Sequence, residues 1–417
     1  MSSQAARPSF PAVPQRWSHV IRALDPRVLG PALLLTFVGL LALWSDRPTV
    51  VFSQLKWLVV GLTVCVGTVI IPYRRLLQLI YPFYALVLLS LVLVIAGLGR
   101  ESHHATRWLQ IGPIGFQPSE LAKVAVIAVL AKYIRFRRDH KTVRGLVVPF
   151  LLMLVPLALI VKQPDLGTAL MLVPVLFVML WAAGAQTQHL LAVVVLGLAS
   201  LPLLWTLALK PYQKGRVKAF TAPFVEVLHE TGEGLGILDP PVTEADQKTE
   251  SRAETLLKEE RGRESRDRRF HVERSMIAVA AGGVFGMGFR NGVMNGTDAV
   301  PESWTDFVFT VYAEEWGFVG VVVLVGLEGL LLLGLALTAN EVREPAAKLL
   351  AVGALTLLGT QACVNLAMTV GLAPVTGLPL PFLSYGGSSM LSSWLILGMA
   401  LNARAHKPLV FAERAFD

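Results

Sequence analysis

The sequence predicts an all-α polytopic membrane protein with about ten transmembrane helices and a long extracytoplasmic loop between the seventh and eighth. Three observations carry this. Of 417 residues, 54% are hydrophobic and only 16% charged, against about 25% charged in a soluble chain, and the mean hydropathy is +0.59. Apolar runs approaching the roughly 20 residues that cross a bilayer as a helix recur along the chain. Arginine and lysine gather in short connections between these runs, the pattern that sets which side faces the cytoplasm. A net charge of +8 placed this way is a topology signal and gives no support to a nucleic-acid partner.

In chain order, residues 1–27 form a cytoplasmic tail carrying Arg16, Arg22 and Arg27. A short apolar run with a small-residue cleavage site is missing, so no removed signal peptide is expected and the first run is a retained span. Spans one to seven occupy 28–209, at about 28–45, 51–71, 76–97, 118–134, 145–161, 168–183 and 189–209. Spans eight to ten occupy 305–404, at 305–338, 347–370 and 388–404, and 405–417 form a second cytoplasmic tail. Arg74 and Arg75 after the second span, "RFRRDHKTVR" (135–144) after the fourth, and Arg404 and Lys407 near the end all fall on one side if both termini are cytoplasmic. The outer side then receives 98–117, the turn "KQPDLGT" (162–168), the loop 210–304 and 371–387. The long loop holds a solvated mixed-charge insertion, 243–269, and a glycine-rich piece, 276–292, too broken for a span and better suited to a re-entrant or interfacial position. Cys65 and Cys363 both lie inside apolar runs and are expected to be small core residues, not a disulfide or metal site.

Polar residues inside such a chain are the candidates for chemistry. The stretch "VPESWTDFVFTVYAEEWG" (300–317) brings Glu302, Asp306, Glu314 and Glu315 to the outer end of the eighth span. Ser303 as N-cap with Asp306 three residues on is close to a capping box, and a carboxylate in the first turn suits the helix dipole. Asp306 therefore has both a capping and a chemical reading, and Glu302 beside Pro301 has a similar one. Glu314 and Glu315 lie deeper, where capping explains nothing and an intramembrane charge normally faces a cavity or partner. In "QPSELAK" (117–123), Glu120 and Lys123 share a helix face and can pair. Arg107 and Trp108 precede them, the tryptophan at a position typical of an interfacial anchor. Asp165 suits an N-cap of the sixth span, and "PFLSYGGSS" (381–389) offers Ser384 and Tyr385 in a flexible outer loop. Bases, cations and hydroxyls on one side point to an amphiphilic, anionic substrate. The chain has no HExxH, zinc-ligand spacing or Walker loop, and no strand precedes "GGVFGMG" (282–288) to support a dinucleotide site.

These stretches resemble the SEDS family (shape, elongation, division and sporulation), which contains RodA, FtsW and SpoVE. The matching segments are "RWLQIGPIGFQPSELAK" (107–123), "KQPDLGTAL" (162–170), "AAGGVFGMGFRNG" (280–292), "VPESWTDFVFTVYAEEWGFVG" (300–320) and "GLPLPFLSYGGSS" (377–389), in family order through nearly all the membrane portion. "NLAMTVGLAPVTGLPLPF" (365–382) and the "KQPDLGT" form are closer to the elongation branch, RodA, than to FtsW. The resemblance implies a peptidoglycan glycosyltransferase of the bacterial plasma (inner) membrane, joining lipid II units into glycan strands during elongation. Implied partners are a class B penicillin-binding protein, elongation-complex proteins and membrane lipids.

It places the family's essential aspartate on Asp306, its paired charges on Glu120 and Lys123, and its outer-loop tryptophan on Trp108. Substrate binding would draw on Arg107, Trp108, Asp165, Glu302, Arg290, Ser384 and Tyr385. No cofactor is certain; a divalent cation, magnesium or manganese, could serve the pyrophosphate. The chain departs from the family pattern at Arg274-Ser275, Gly286-Met287-Gly288, Val300-Pro301-Glu302 and the insertion 243–269, and Arg290 or Arg274 could replace a missing lysine. Asp306 would deprotonate the acceptor hydroxyl while Lys123 or Arg107 offsets charge on the leaving pyrophosphate. The competing readings are a lipid II flippase, which should distribute charge through the midplane, and a noncatalytic scaffold for the cross-linking partner.

Overall fold

In the computed structural model of the protein the described residues are 25–102, 105–111, 114–135, 137, 142–207, 270–293 and 303–405. The charged insertion 243–269, Glu302 and both tails up to residue 24 and from 406 lie outside them. The first helices are α1 (Pro26–Asp46), α2 (Pro48–Ile70) and α3 (Tyr73–Leu93), the last running into a π-helical turn, Val94–Leu98. Then come α4 (Pro118–Ile134), α5 (Val143–Lys162), α6 (Leu166–Ala182) and α7 (Thr187–Leu207). A helix over 270–281, α8, precedes α9 (Val308–Glu341), α10 (Pro345–Thr369) and α11 (Gly387–Ala405). A helix thus lies at each of the ten expected spans, and α8 is additional.

Local chemistry sets the boundaries. Pro26, Pro48, Pro118 and Pro345 occupy first turns, where a missing N–H costs nothing. The side chains of Asp25, Thr142, Asp165 and Glu344 accept first-turn N–H groups. Among the described residues, six helices are long and apolar enough to cross a membrane, and α6 and residues 187–200 are shorter apolar helices. The central helix α4 differs because nearly all its side chains are buried by other helices. It can therefore carry Glu120 and Lys123 without presenting them to lipid.

The loop expected at 98–117 is a small antiparallel sheet of β1 (Gly99–Ser102), β2 (Ala105–Ile111) and β3 (Ile114–Phe116), in the order β1-β2-β3. Among the described residues the chain is therefore helical with one short sheet. In the core, α2 lies along α11 and α1 along α9, with small residues at the crossings. A Cβ on Gly61 would come within 2.8 Å of Trp394, and one on Gly334 within 2.4 Å of the Arg27 carbonyl. Cys65 is buried against α11, but Cys363 is exposed on α10, so the expected core position holds for the first cysteine alone. An apolar run does not reveal which helix face meets a neighbour.

The glycine-rich piece has a definite role. α9 breaks at Gly317, whose φ of 63° and ψ of −164° are non-helical. Residues 283–288 fill the break: the N–H groups of Met287 and Gly288 donate to the carbonyls of Glu314 and Glu315 at 3.0 Å, and those of Phe318 and Val319 donate to Gly283 and Val284 at 2.9 and 3.1 Å. A broken helix in a membrane must have its freed backbone groups satisfied by other protein groups, and this piece supplies them. The approach needs glycine on both sides, since a Cβ on Gly286 would lie 2.1 Å from the Glu315 carbonyl and one on Gly317 2.3 Å from the Gly286 nitrogen.

Candidate functional site

The site forms where α1, α3, α5 and α10 end and α4, α6, α9 and α11 begin, so chain direction alone brings these termini to one end of the bundle. Residues 303–307 form a turn, and α9 starts only at Val308 with Phe307 at its N-cap. This corrects the capping box expected for Ser303 and Asp306. Ser303 instead donates its hydroxyl to Asp46 Oδ2 at 2.6 Å, because a carboxylate from α1 is the stronger acceptor available at this buried position. The Trp304 carbonyl accepts from the Tyr385 N–H at 2.9 Å, and the Arg47 guanidinium covers the Trp304 ring at 3.9 Å. His271 of α8 stacks on Phe307 with ring centroids 6.5 Å apart.

Asp306 is half-buried on this turn. Its carbonyl accepts from Asn365 Nδ2 at 2.9 Å, and its carboxylate lies beside Gly377, where an added Cβ would be 3.5 Å from Oδ2. Gly377, at φ +72°, belongs to a strap, residues 376–380, that joins the parts of the site. On one side a Cβ on Gly167 of α6 would meet the Thr376 carbonyl at 2.6 Å. On the other, Asn365 Nδ2 donates to Leu378 O at 2.7 Å and Gln361 Nε2 to Pro379 O at 2.7 Å.

Glu120 and Lys123 form the pair their spacing predicts, Nζ to Oε1 at 2.9 Å with both side chains almost fully buried. Lys123 also donates to Gln361 Oε1 at 3.1 Å, and Ser392 donates to Glu120 Oε2 at 2.8 Å. A buried pair with further hydrogen bonds to each member is tolerable in a low-dielectric interior, whereas stranding one member is costly. Gln361 therefore joins the pair to the strap beside Asp306.

Asp165 caps α6, accepting from Thr168 N–H at 3.4 Å, and also accepts from Gln117 Nε2 at 3.1 Å and Ser119 Oγ at 2.9 Å. Arg107, on β2, lies 4.0 Å from Asp165 and donates to the carbonyls of Gln163 and Pro164. Its donors are thus turned onto the 162–165 turn. Trp108 is half-buried on the same strand, over Gly115. Ser384 Oγ accepts from Leu380 N–H at 2.8 Å and its carbonyl from Gln54 Nε2 at 3.0 Å, which pins the loop. The Tyr385 hydroxyl donates to Ser53 Oγ at 3.3 Å. Arg290 is exposed, with φ 63°, and its N–H donates to Glu315 Oε1 at 3.0 Å. That bond places Glu315 under the glycine-rich piece, not in the Asp306 cluster. Arg274 stacks on Phe270, while Ser275 donates to Thr369 O at 2.8 Å and docks α8 on the bundle.

Gln361, Asn365 and Ser392 join the site without being among the residues its sequence motifs single out. Two amides four residues apart in the apolar "GTQACVNLA" (359–367) were the available signal, since polar groups on a membrane helix need bonding partners.

Fold and site together define a class: a polytopic helical membrane protein whose buried lysine–carboxylate pair and presented aspartate meet at one end of the bundle. The chain belongs to the FtsW/RodA/SpoVE family of cell cycle proteins, whose sequence profile matches residues 33–239 and 245–408. It is 28% identical to the peptidoglycan glycosyltransferase MrdB of Escherichia coli K12, over 93% of this chain and 95% of that one. It is 30% identical to the peptidoglycan glycosyltransferase RodA of Treponema pallidum, over 91% and 98%. Among solved structures it is similar to a chain of a peptidoglycan synthase complex that coordinates polymerization and crosslinking, with TM-score 0.72, 31% identity and coverage of 93% and 99%. The rod shape determining protein RodA of Thermus thermophilus superposes with TM-score 0.62 at 30% identity, over 92% and 97%.

Proposed function

We propose that this protein is a peptidoglycan glycosyltransferase that polymerises lipid II at the outer face of the plasma membrane during cell elongation, beside a class B penicillin-binding protein. The observation that carries this is the joining of Asp306 to the Glu120–Lys123 pair through the strap, Gln361 and Asn365. Relatives covering nearly the whole chain and named peptidoglycan glycosyltransferases support it, as does the likeness to a synthase complex. In this reading the site end of the bundle faces outward, both termini are cytoplasmic, and the substrates reach Asp306 while their lipid tails stay in the bilayer.

Asp306 accepts the proton of the acceptor sugar hydroxyl as that oxygen bonds to the donor's anomeric carbon and the bond to the lipid pyrophosphate breaks. Asn365 holds the turn through the Asp306 carbonyl, with the strap beside the carboxylate, and Lys123, fixed by Glu120 and Gln361, contributes positive potential toward the departing pyrophosphate. Among the described residues no group of three or more His, Cys, Asp or Glu side chains could hold a metal ion. Lipid II headgroup translocation is the second reading, and one observation favours it: Glu328, inside α9 and 4% exposed, has no hydrogen-bond partner for either carboxylate oxygen among the described residues.

Labelled lipid II incubated with the purified protein and its partner, with glycan length as readout, decides between them. Asp306→Asn is expected to cut polymerisation about 100-fold or more with little change in thermal stability. Near wild-type polymerisation by that variant would remove the base assignment. A wild-type protein that never lengthens strands with its partner would leave translocation.

A further inference from the structure

α10 carries two buried amides one helical turn apart. Asn365 is 0% exposed, and its one NH2 group donates to two carbonyls far apart in the chain, Asp306 at 2.9 Å and Leu378 at 2.7 Å. Its Oδ1 is buried without a hydrogen-bond partner among the described residues. A turn deeper, Gln361 is 2% exposed and bridges Lys123 Nζ and the Pro379 carbonyl, at 3.1 and 2.7 Å. An amide that only filled space would be better replaced by an apolar side chain, because an unmet buried acceptor is a standing cost. What the amide provides is geometry. The same nitrogen sets the separation between the turn that presents Asp306 and the strap whose Gly377 lies against the Asp306 carboxylate.

We propose that Asn365 is a positioning residue for Asp306, and that Gln361 does the same for Lys123, so that one face of α10 sets the spacing between the base and the buried cation. This rests on the catalytic reading of Asp306 given above. It predicts that loosening the turn lowers turnover and not substrate capture, because rate depends steeply on placement of the reacting groups and binding does not.

The test is lipid II polymerisation by the full-length protein with its partner. Asn365→Ala is expected to lower kcat by about 10- to 100-fold while KM stays within about twofold. In the double variant Asn365→Ala/Asp306→Asn, the loss should not exceed that of Asp306→Asn alone, because a positioning group has nothing left to position. Asn402→Ala is the structural control. Asn402 is a fully buried asparagine on α11 that donates to the carbonyls of Thr68 and Ile71, both at 2.7 Å, at the opposite end of the bundle. It should lower the thermal midpoint and leave kcat per folded molecule unchanged. If Asn365→Ala does not yield folded protein, Asn365→Ser, which keeps a single donor, takes its place with the same readouts. Retained kcat, a loss that multiplies with that of Asp306→Asn, or an equal loss in Asn402→Ala overturns the proposal. An active Asp306→Asn removes the catalytic reading and this proposal together. An inactive Asp306→Asn beside a fully active Asn365→Ala removes the positioning role alone.

Discussion

The two ends of the helix bundle treat buried charge differently. At the end where α1, α3 and α10 begin and α9 and α11 finish, charges close on one another across helices. Asp25 bonds Arg27 at 3.0 Å and also pairs with Arg404, while Glu341 pairs with the same two arginines at 2.8 and 3.0 Å. Beside this ring Glu344 pairs with Arg135 at the C-cap of α4, accepts from the Tyr73 hydroxyl of α3 and caps its own helix. At the site end Asp165 is met mainly by neutral donors, with Arg107 4.0 Å away, and neutral donors also reach Asp46 and Glu120. Asp165 takes Gln117, Ser119 and the Thr168 N–H, and Asp46 takes Ser303. The site's closest ion pair, Glu120–Lys123, stays within α4 and is completed by Ser392 and Gln361. Ion pairs across helices tie helices together and cancel their own fields. Amides and hydroxyls orient a carboxylate without cancelling its charge, which leaves potential for a substrate to feel.

Substitutions at the two ends should therefore fail in different ways. The largest effect on stability is expected from Lys123→Met, which leaves Glu120 buried without its cation and should cost about 3–5 kcal/mol. Thermal unfolding in detergent reads this directly. Lys123→Met/Glu120→Gln, which removes both charges, should recover much of the stability but not the polymerisation rate. If the double variant is as unstable as the single one, the pair is not the reason Lys123 matters to the fold. At the opposite end, Asp25→Ala removes the α1 cap and one acceptor of the ring but leaves Glu341 to both arginines. A loss of about 1–3 kcal/mol is expected, with polymerisation per folded molecule unchanged. A fall in that specific activity would show that the ion-pair ring communicates with the site.

The contrast between the ends was only partly visible in the sequence. The helices were legible because apolar runs of spanning length are a one-dimensional signal. The Glu120–Lys123 pair was legible because it lies within a helical turn, and Asp165 because N-caps are local. What holds these parts in relation was not legible. Asn365 reaches Asp306 across 59 positions and Gln361 reaches Lys123 across 238, and no spacing rule connects residues so far apart. Arg107 read as a cation for a substrate because its acceptors, the carbonyls of 163 and 164, carry no side-chain signal. The glycines of 282–288 are plain in the sequence, but the break at Gly317 that they fill is a property of the folded path of α9 and has no local signal.

The smallest effect tests the start of α9 itself. A cap at Ser303 and the observed bond from Ser303 to Asp46 both predict that Ser303→Ala costs about 1 kcal/mol, so the single variant cannot separate them. The coupling can. If Ser303 capped its own helix, its loss and that of Asp46, on α1, would add. Since the hydroxyl donates to Asp46 Oδ2 at 2.6 Å and both residues are buried, removing either partner should make removal of the other cheaper. Ser303→Ala, Asp46→Ala and the double variant, compared by thermal unfolding, should show a coupling of about 0.5 kcal/mol or more. Polymerisation should fall only as far as the 303–307 turn is loosened, well short of the loss in Asp306→Asn. A coupling of zero would return Ser303 to the helix as its cap and move the first turn of α9 back over Asp306. The aspartate would then sit on a helix terminus and not on the turn that Asn365 holds.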